Sequence, residues 1–327
     1  MRRRTSTAAL ALSALLPLAS GAAGQGLPPA PAIDYSLELQ HTLEQLAAES
    51  DVDLLRLHWE SIAQVVRTAD PESPRDAANL QRLYEAFLDT SDADSPLRVE
   101  SYLDRRRPLI ISWVSAMDGE VSFAWLTLPA AWDPDRAYPL YVQLHGLWDV
   151  ASTRLEYLAH PFSNVGSSFA FDDGYAVAPW GRGNQWYRGL AEGDVWECLD
   201  VVEQVVRVDE SRQYLTGHSM GGYGAWHLAQ RTPGRWAALG VHAGALWYDG
   251  SELRIDSVAR LRDVPTYFVV GDLDPLFDVN LFAARLLVSV GNPQVVFVTF
   301  PGGHDHHQED VEQMYLWLRG FPLHSAE

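Results

Sequence analysis

Cysteine is almost absent. Cys198 is the only one in 327 residues, so no disulfide can form within the chain whatever the redox compartment. It stands in the helical-looking run Trp196 to Val206, where a small packed hydrophobe is its expected role. Basic residues are scarce too: 24 Lys and Arg face 43 Asp and Glu, for a formal charge of −19. Such a surface argues against nucleic acid or anionic membranes as partners, and against polyanionic substrates. Internal repeats, low-complexity tracts and apolar runs long enough to span a bilayer are also missing. The apolar run Ala8 to Ala19 is too short for that, but Arg2 to Arg4 precede it and small residues follow as far as Gly24. That layout is a secretory signal peptide, by a general or a twin-arginine route, and implies a secreted or periplasmic protein. Without residues 1–24 the chain loses three arginines and no acid, and is more acidic still.

Residues 25–33, rich in Pro and Gly, read as a flexible leader. From 34 to 107 we expect a small helical region. Leu80, Leu83, Tyr84, Phe87 and Leu88 make its clearest apolar stripe, Leu55, Trp59, Ile62 and Val66 a second, and Leu39, Leu43 and Leu46 a weaker third. The stripes should pack on the main domain or on each other, as a structural cap rather than a substrate lid. The domain proper, 108–327, begins with two β-rich runs, Pro108–Met117 and Glu120–Leu128, around the hairpin signal Asp118-Gly119. Strands are then expected at Tyr138–Leu144, Tyr175–Pro179, Gln213–Thr216, Trp236–Val241, Thr266–Val270 and Gln294–Phe300. Helical stretches alternate with them, near Ala151–Ala159, Gly193–Val206, Gly222–Arg231, Pro275–Val290 and Gln308–Arg319. The fold class is therefore α/β: a mostly parallel, doubly wound sheet with an antiparallel N-terminal hairpin.

Ligand sites in such sheets lie beyond the carboxyl ends of the strands, so chemistry is expected at the strand ends. Gln213 to Thr216 runs into Gly217-His218-Ser219-Met220-Gly221-Gly222 and then a helical segment. This strand–turn–helix setting is what Gly-x-Ser-x-Gly needs to act as a nucleophile elbow, with glycines where a Cβ would collide with the crossing backbone. His145-Gly146-Leu147-Trp148 follows another strand, and the N–H groups of Leu147 and Met220 could together hold an oxyanion. His145 itself reads as a loop-ordering residue. Gly271-Asp272-Leu273-Asp274-Pro275 offers a carboxylate to orient a base. Asp274 before Pro275 is also a good helix N-cap and could do both jobs through different oxygens; Asp272 is the second candidate. After the last strand, Pro301-Gly302-Gly303-His304 lets a histidine turn inward as general base. His306 and His307 read as solvated, and a metal site from the three histidines lacks a ligand on a defined element.

The order Ser219, Asp274, His304 is that of α/β-hydrolases. The run Val208 to Trp226, with Gly181-Arg182-Gly183 and Gly193-Asp194-Val195 before it, resembles secreted bacterial esterases and predicted peptidases similar to the prolyl oligopeptidase catalytic domain. Polyhydroxybutyrate-depolymerase-like and feruloyl-esterase-like enzymes share this look. The resemblance covers Tyr138 to Leu318 and implies Ser219 as nucleophile, Asp274 as acid and His304 as base, with no cofactor. One departure concerns the oxyanion turn, where Leu147-Trp148 stand where many relatives carry a second glycine. The helical region before Tyr138 cannot hold the β-propeller of the family's peptidases, since blades take about 40 residues each. An esterase open to small or polymeric ester substrates is thus expected ahead of a serine peptidase, and ahead of a non-catalytic binding protein on the same fold. Trp148, Trp186, Tyr187 and Trp247 fall at the same strand ends and are expected to line the substrate. Arg182 and Arg188 lie nearby, with pairing to Asp194 or Glu192 expected over substrate binding.

Overall fold

The computed structural model describes residues 33–88, 103, 107–163, 171–244 and 255–323; the expected signal peptide and all but Ile33 of the expected leader lie outside them. The hairpin forms around Asp118-Gly119: β1 (Leu109–Val114) pairs antiparallel with β2 (Val121–Thr127), Leu109 opposite Leu126 and Val114 opposite Val121. Gly119 tightens the turn at φ +76, a backbone region that glycine enters without a steric penalty. The sheet continues with β3 (Tyr138–Leu144), β4 (Tyr175–Pro179), β5 (Val208–His218), β6 (Ala238–His242), β7 (Thr266–Gly271) and β8 (Val295–Phe300). Their spatial order is β1-β2-β4-β3-β5-β6-β7-β8. β2 meets β4 antiparallel, and every pairing from β4 to β8 is parallel.

Strand periodicity of two sorts the side chains onto two faces. Tyr141, Tyr214, Ala238 and Tyr267 point to one, where Met314 and Leu318 of the last helix close a core. Their chain neighbours Val142, Leu215, Leu239 and Phe268 belong to the larger core on the other side. The covering helices are α4 (Arg154–Ser163), α5 (Leu190–Val205), α6 (Met220–Arg231), α7 (Ile255–Ala259), α8 (Phe277–Ser289) and α9 (Gln308–Leu318). Cys198 is fully buried on α5, as a packed hydrophobe should be. β5 is longer than the apolar run Gln213–Thr216 predicts. Its first half, Asp209 to Arg212, is polar and largely exposed, so no hydrophobic alternation marks it. No helix among the described residues is long and apolar enough to cross a membrane.

The N-terminal helices are α1 (Tyr35–Glu49), α2 (Asp53–Val66) and α3 (Pro74–Leu88). Leu39 and Leu43 of α1 and Leu55, Trp59, Ile62 and Val66 of α2 are buried in the larger core. α2 also does something its apolar stripe does not announce, because β1 is a sheet edge and exposes backbone donors. His58 Nδ1 accepts the Ile110 N–H at 2.7 Å, Ser61 Oγ accepts the Ser112 N–H at 3.0 Å, and Gln64 Oε1 accepts the Ser112 hydroxyl at 2.6 Å. These three residues, spaced by three, form a polar stripe that accepts two backbone N–H groups of the edge and one hydroxyl.

His58 is completely buried, and burial pushes its pKa from 6.5 down to about 3. Below pH 6.5 the unfolded chain therefore binds a proton that the fold refuses, and stability drops as pH falls toward about 3. The slope from this residue approaches about 1.4 kcal/mol per pH unit. The expected result is a melting temperature that falls with acidification, less steeply in His58→Gln, whose amide oxygen can still accept from Ile110. Equal slopes in thermal scans of the two proteins would clear His58 of this role.

Candidate active site

The chain leaves β3 for β4 on one side and returns to β5 on the other, which opens a crevice at the carboxyl ends of β3 and β5. Ser219 stands there, between β5 and α6, at φ +54 and ψ −118. A non-glycine residue held in that region is strained, and two backbone hydrogen bonds hold it. Its N–H donates to the His242 carbonyl at 2.9 Å, and its own carbonyl accepts from Tyr223 at 3.1 Å. The turn is closed by backbone packing: a Cβ on Gly217 would strike the Gly221 carbonyl, and one on Gly221 the Leu144 carbonyl. A Cβ on Gly222 would lie 2.9 Å from the Gly244 oxygen, so this glycine lets α6 sit tightly behind the strand.

His304 Nε2 lies 2.7 Å from Ser219 Oγ, and His304 Nδ1 lies 2.8 Å from Asp274 Oδ2. The three residues thus form one hydrogen-bonded line, with the Asp274 side chain fully buried and the imidazole about a third exposed. Asp274 Oδ1 accepts the Leu276 N–H at 2.7 Å, so one carboxylate serves the imidazole and the start of α8 through different oxygens. Asp272 instead accepts the Gly302 N–H at 3.1 Å and, with the Leu273 N–H on the Gly302 carbonyl at 2.8 Å, anchors the glycine turn that delivers His304. His307 stacks on Phe300 at 4.9 Å. His306 is exposed, as expected, with its ring 5.2 Å from that of His242 and 5.8 Å from that of His218.

Gly146 passes close to the nucleophile; a Cβ there would lie 3.4 Å from Ser219 Cβ. The next N–H, that of Leu147, and the N–H of Met220 have no acceptor among the described residues. Met220 begins α6, so the positive end of the helix faces the same place. His145 orders the turn: its Nε2 lies 3.0 Å from the Trp180 carbonyl, and its own carbonyl accepts the Tyr187 hydroxyl at 3.1 Å. Burial lowers the His145 pKa, which favours the neutral ring.

The aromatics divide. Trp148 is half-buried, and Asn184 fastens its backbone through hydrogen bonds of 3.1 and 3.0 Å. It borders a cavity of about 260 Å³ that also touches Gly146, His218 and His306. Trp186 is half-buried beside Tyr223, with ring centroids 5.7 Å apart. Tyr187 does not line the substrate as expected; it is fully buried, because Gly181 and Gly224 leave its ring a slot that a Cβ on either would fill. Its hydroxyl serves the His145 turn. Trp247 lies outside the described residues. Arg182 is committed to Asp194 at 3.0 Å and to both oxygens of Asp118 at 3.0 and 3.1 Å. That pairing leaves it no fork for a substrate carboxylate. Burial raises the Asp194 pKa, against the pull of Ser122 and Arg182.

Sequence reasoning missed His218 and His242, whose rings lie 4.4 Å apart beneath the Ser219–His304 pair. His218 sits inside the elbow motif. His242 ends β6, one residue past the strand expected there, so inspection of true strand ends finds it. Burial, then the neighbouring histidines, lower the pKa of His218 to about 4 and of His242 to about 2, so both rings are neutral at pH 7. Among the described residues no group of three or more His, Cys, Asp or Glu is arranged to hold a metal ion.

Solved structures with this arrangement of elements include a thermostable esterase, with 20% identity, TM-score 0.51, and coverage of 66% of this chain and 63% of that one. A ferulic acid esterase matches at 20% identity and TM-score 0.51, over 65% of this chain and 97% of the other. Porphyromonas gingivalis dipeptidyl peptidase 4 matches at 16% identity and TM-score 0.49, over 70% of this chain and 38% of its own length. At these identities the likeness concerns the fold alone. No curated protein matches the chain in sequence. The Esterase family model matches residues 115–321, which is more than half of the chain and spans β2 to the end of α9. On that match the protein belongs to the Esterase family, carried on an α/β-hydrolase fold.

Proposed function

We propose that this protein is an exported serine hydrolase of carboxylic esters that works through an acyl-enzyme. The observation that carries the reading is the unbroken line from Ser219 Oγ through His304 to Asp274, at 2.7 and 2.8 Å. His304 Nε2 takes the hydroxyl proton as Ser219 Oγ attacks the ester carbonyl, and Asp274 stabilises the imidazolium and holds its tautomer. The oxyanion is received by the N–H groups of Leu147 and Met220, each worth on the order of 3 kcal/mol of barrier. His304 then protonates the departing alcohol, and the acyl-enzyme forms. Water, deprotonated by the same nitrogen, releases the acid. Trp148 and Trp186 offer flat apolar faces to the substrate at the crevice. Residues 1–24 act as the export signal, and no cofactor takes part.

The test is a panel of p-nitrophenyl esters with acetyl, longer acyl and feruloyl groups, set against proline and alanine p-nitroanilides. Ester turnover well above anilide turnover is expected. A preference for the anilides would make the protein a peptidase, and turnover of neither would make it a binding protein on this fold.

A further inference from the structure

His242 makes two contacts that bear on two different members of the proposed site. Its backbone carbonyl accepts the Ser219 N–H at 2.9 Å, and its ring Nε2 lies 3.2 Å from the Asp305 carbonyl, one residue beyond His304. The second contact matters because of how the loop after β8 is held. At one end Gly302 is tied to Asp272 and Leu273; at the other the His307 carbonyl accepts the Val311 N–H at 3.1 Å. Between them, among the described residues, the hydrogen bond from His242 is the one that joins the backbone of 303–306 to the sheet. Gly302 and Gly303 bring no side chain of their own to hold this stretch.

We propose that His242 is a positioning residue: its Nε2–H, donated to the Asp305 carbonyl, holds His304 over the same strand end whose carbonyl holds Ser219. Nucleophile and base are thereby registered against one residue of β6, itself only 2% exposed. The ring has the means for this role. It is packed 4.4 Å from His218 and 5.2 Å from His306, and burial keeps it neutral at pH 7, so in the Nε2–H tautomer it presents a hydrogen to the carbonyl. Its other titratable neighbours, His304 and Asp305, belong to the loop it holds. A base displaced by about 1 Å can cost on the order of 100-fold in rate, so a weak tether has kinetic leverage.

This inference rests on the assignment of Ser219 and His304 above, and the experiment separates the two. His242→Phe keeps a flat buried ring and removes the donor; His242→Gln places an amide N–H at a similar reach. For p-nitrophenyl acetate, His242→Phe is expected to lose roughly tenfold or more in kcat at unchanged KM, and His242→Gln to recover most of it. Both should melt within a few degrees of the parent. A His242→Phe protein with kcat within about twofold of the parent would overturn the proposal. So would parallel losses of kcat and melting temperature in both variants, which mark a residue that only packs. Failure of the underlying assignment reads differently: the parent itself would then resist labelling by a fluorophosphonate.

Discussion

Ser219→Ala is expected to abolish both ester turnover and labelling by a fluorophosphonate probe, with a loss on the order of 10⁴ to 10⁶ in kcat. The size follows from the division of labour in the crevice. Without Oγ there is no acyl-enzyme, and what remains is whatever the two amides and the binding surface give to attack by water. The fold should be indifferent. Ser219 holds φ +54 through its backbone contacts with His242 and Tyr223, which alanine repeats, and its Oγ is bonded within the site to His304. A variant that melts with the parent yet is dead is therefore expected, and labelling that survives the substitution removes Ser219 from its proposed role.

Asp274→Asn should cost on the order of 10⁴ in kcat, and the reason is a tautomer rather than a charge alone. Asp274 Oδ1 is occupied by the Leu276 N–H, so an asparagine that keeps this bond turns its NH₂ group toward His304 Nδ1. The imidazole must then accept at Nδ1 and carry its proton on Nε2, where it faces Ser219 Oγ and cannot take the hydroxyl proton. Asp272→Asn is the control, because an amide oxygen can still accept the Gly302 N–H. That variant should stay within a few-fold of the parent in steady-state assays. A larger loss for position 272 than for position 274 would exchange their roles.

Much of the arrangement around Ser219 was legible because its causes are local. Glycines that must admit a crossing backbone, a helix beginning at once after the serine, and loops at successive strand ends all leave marks within a few residues. The proposed partners were readable for a related reason: in a parallel sheet, loops after β3, β5, β7 and β8 share one edge wherever they lie in the chain. The hydrogen-bond distances among them are matters of side-chain placement.

The failures share a different cause. Tyr187 stands at a strand end like Trp186 and Trp148, and nothing near it announces that Gly181 and Gly224 would leave its ring a slot. The stripe His58, Ser61 and Gln64 carries no mark of its role in the sequence, because its partners Ile110 and Ser112 arrive only with β1.

Composition and pattern alone determined the α/β class, the absence of internal disulfides and the elbow with its flanking turns, because each depends on residue type and on spacing within one element. Only the tertiary structure decided which aromatic is buried, which carboxylate meets the imidazole, and that β6 supplies a contact to both Ser219 and Asp305. Those outcomes depend on the volume and hydrogen-bond vacancy left by elements distant in the chain, a quantity that exists only once they have packed.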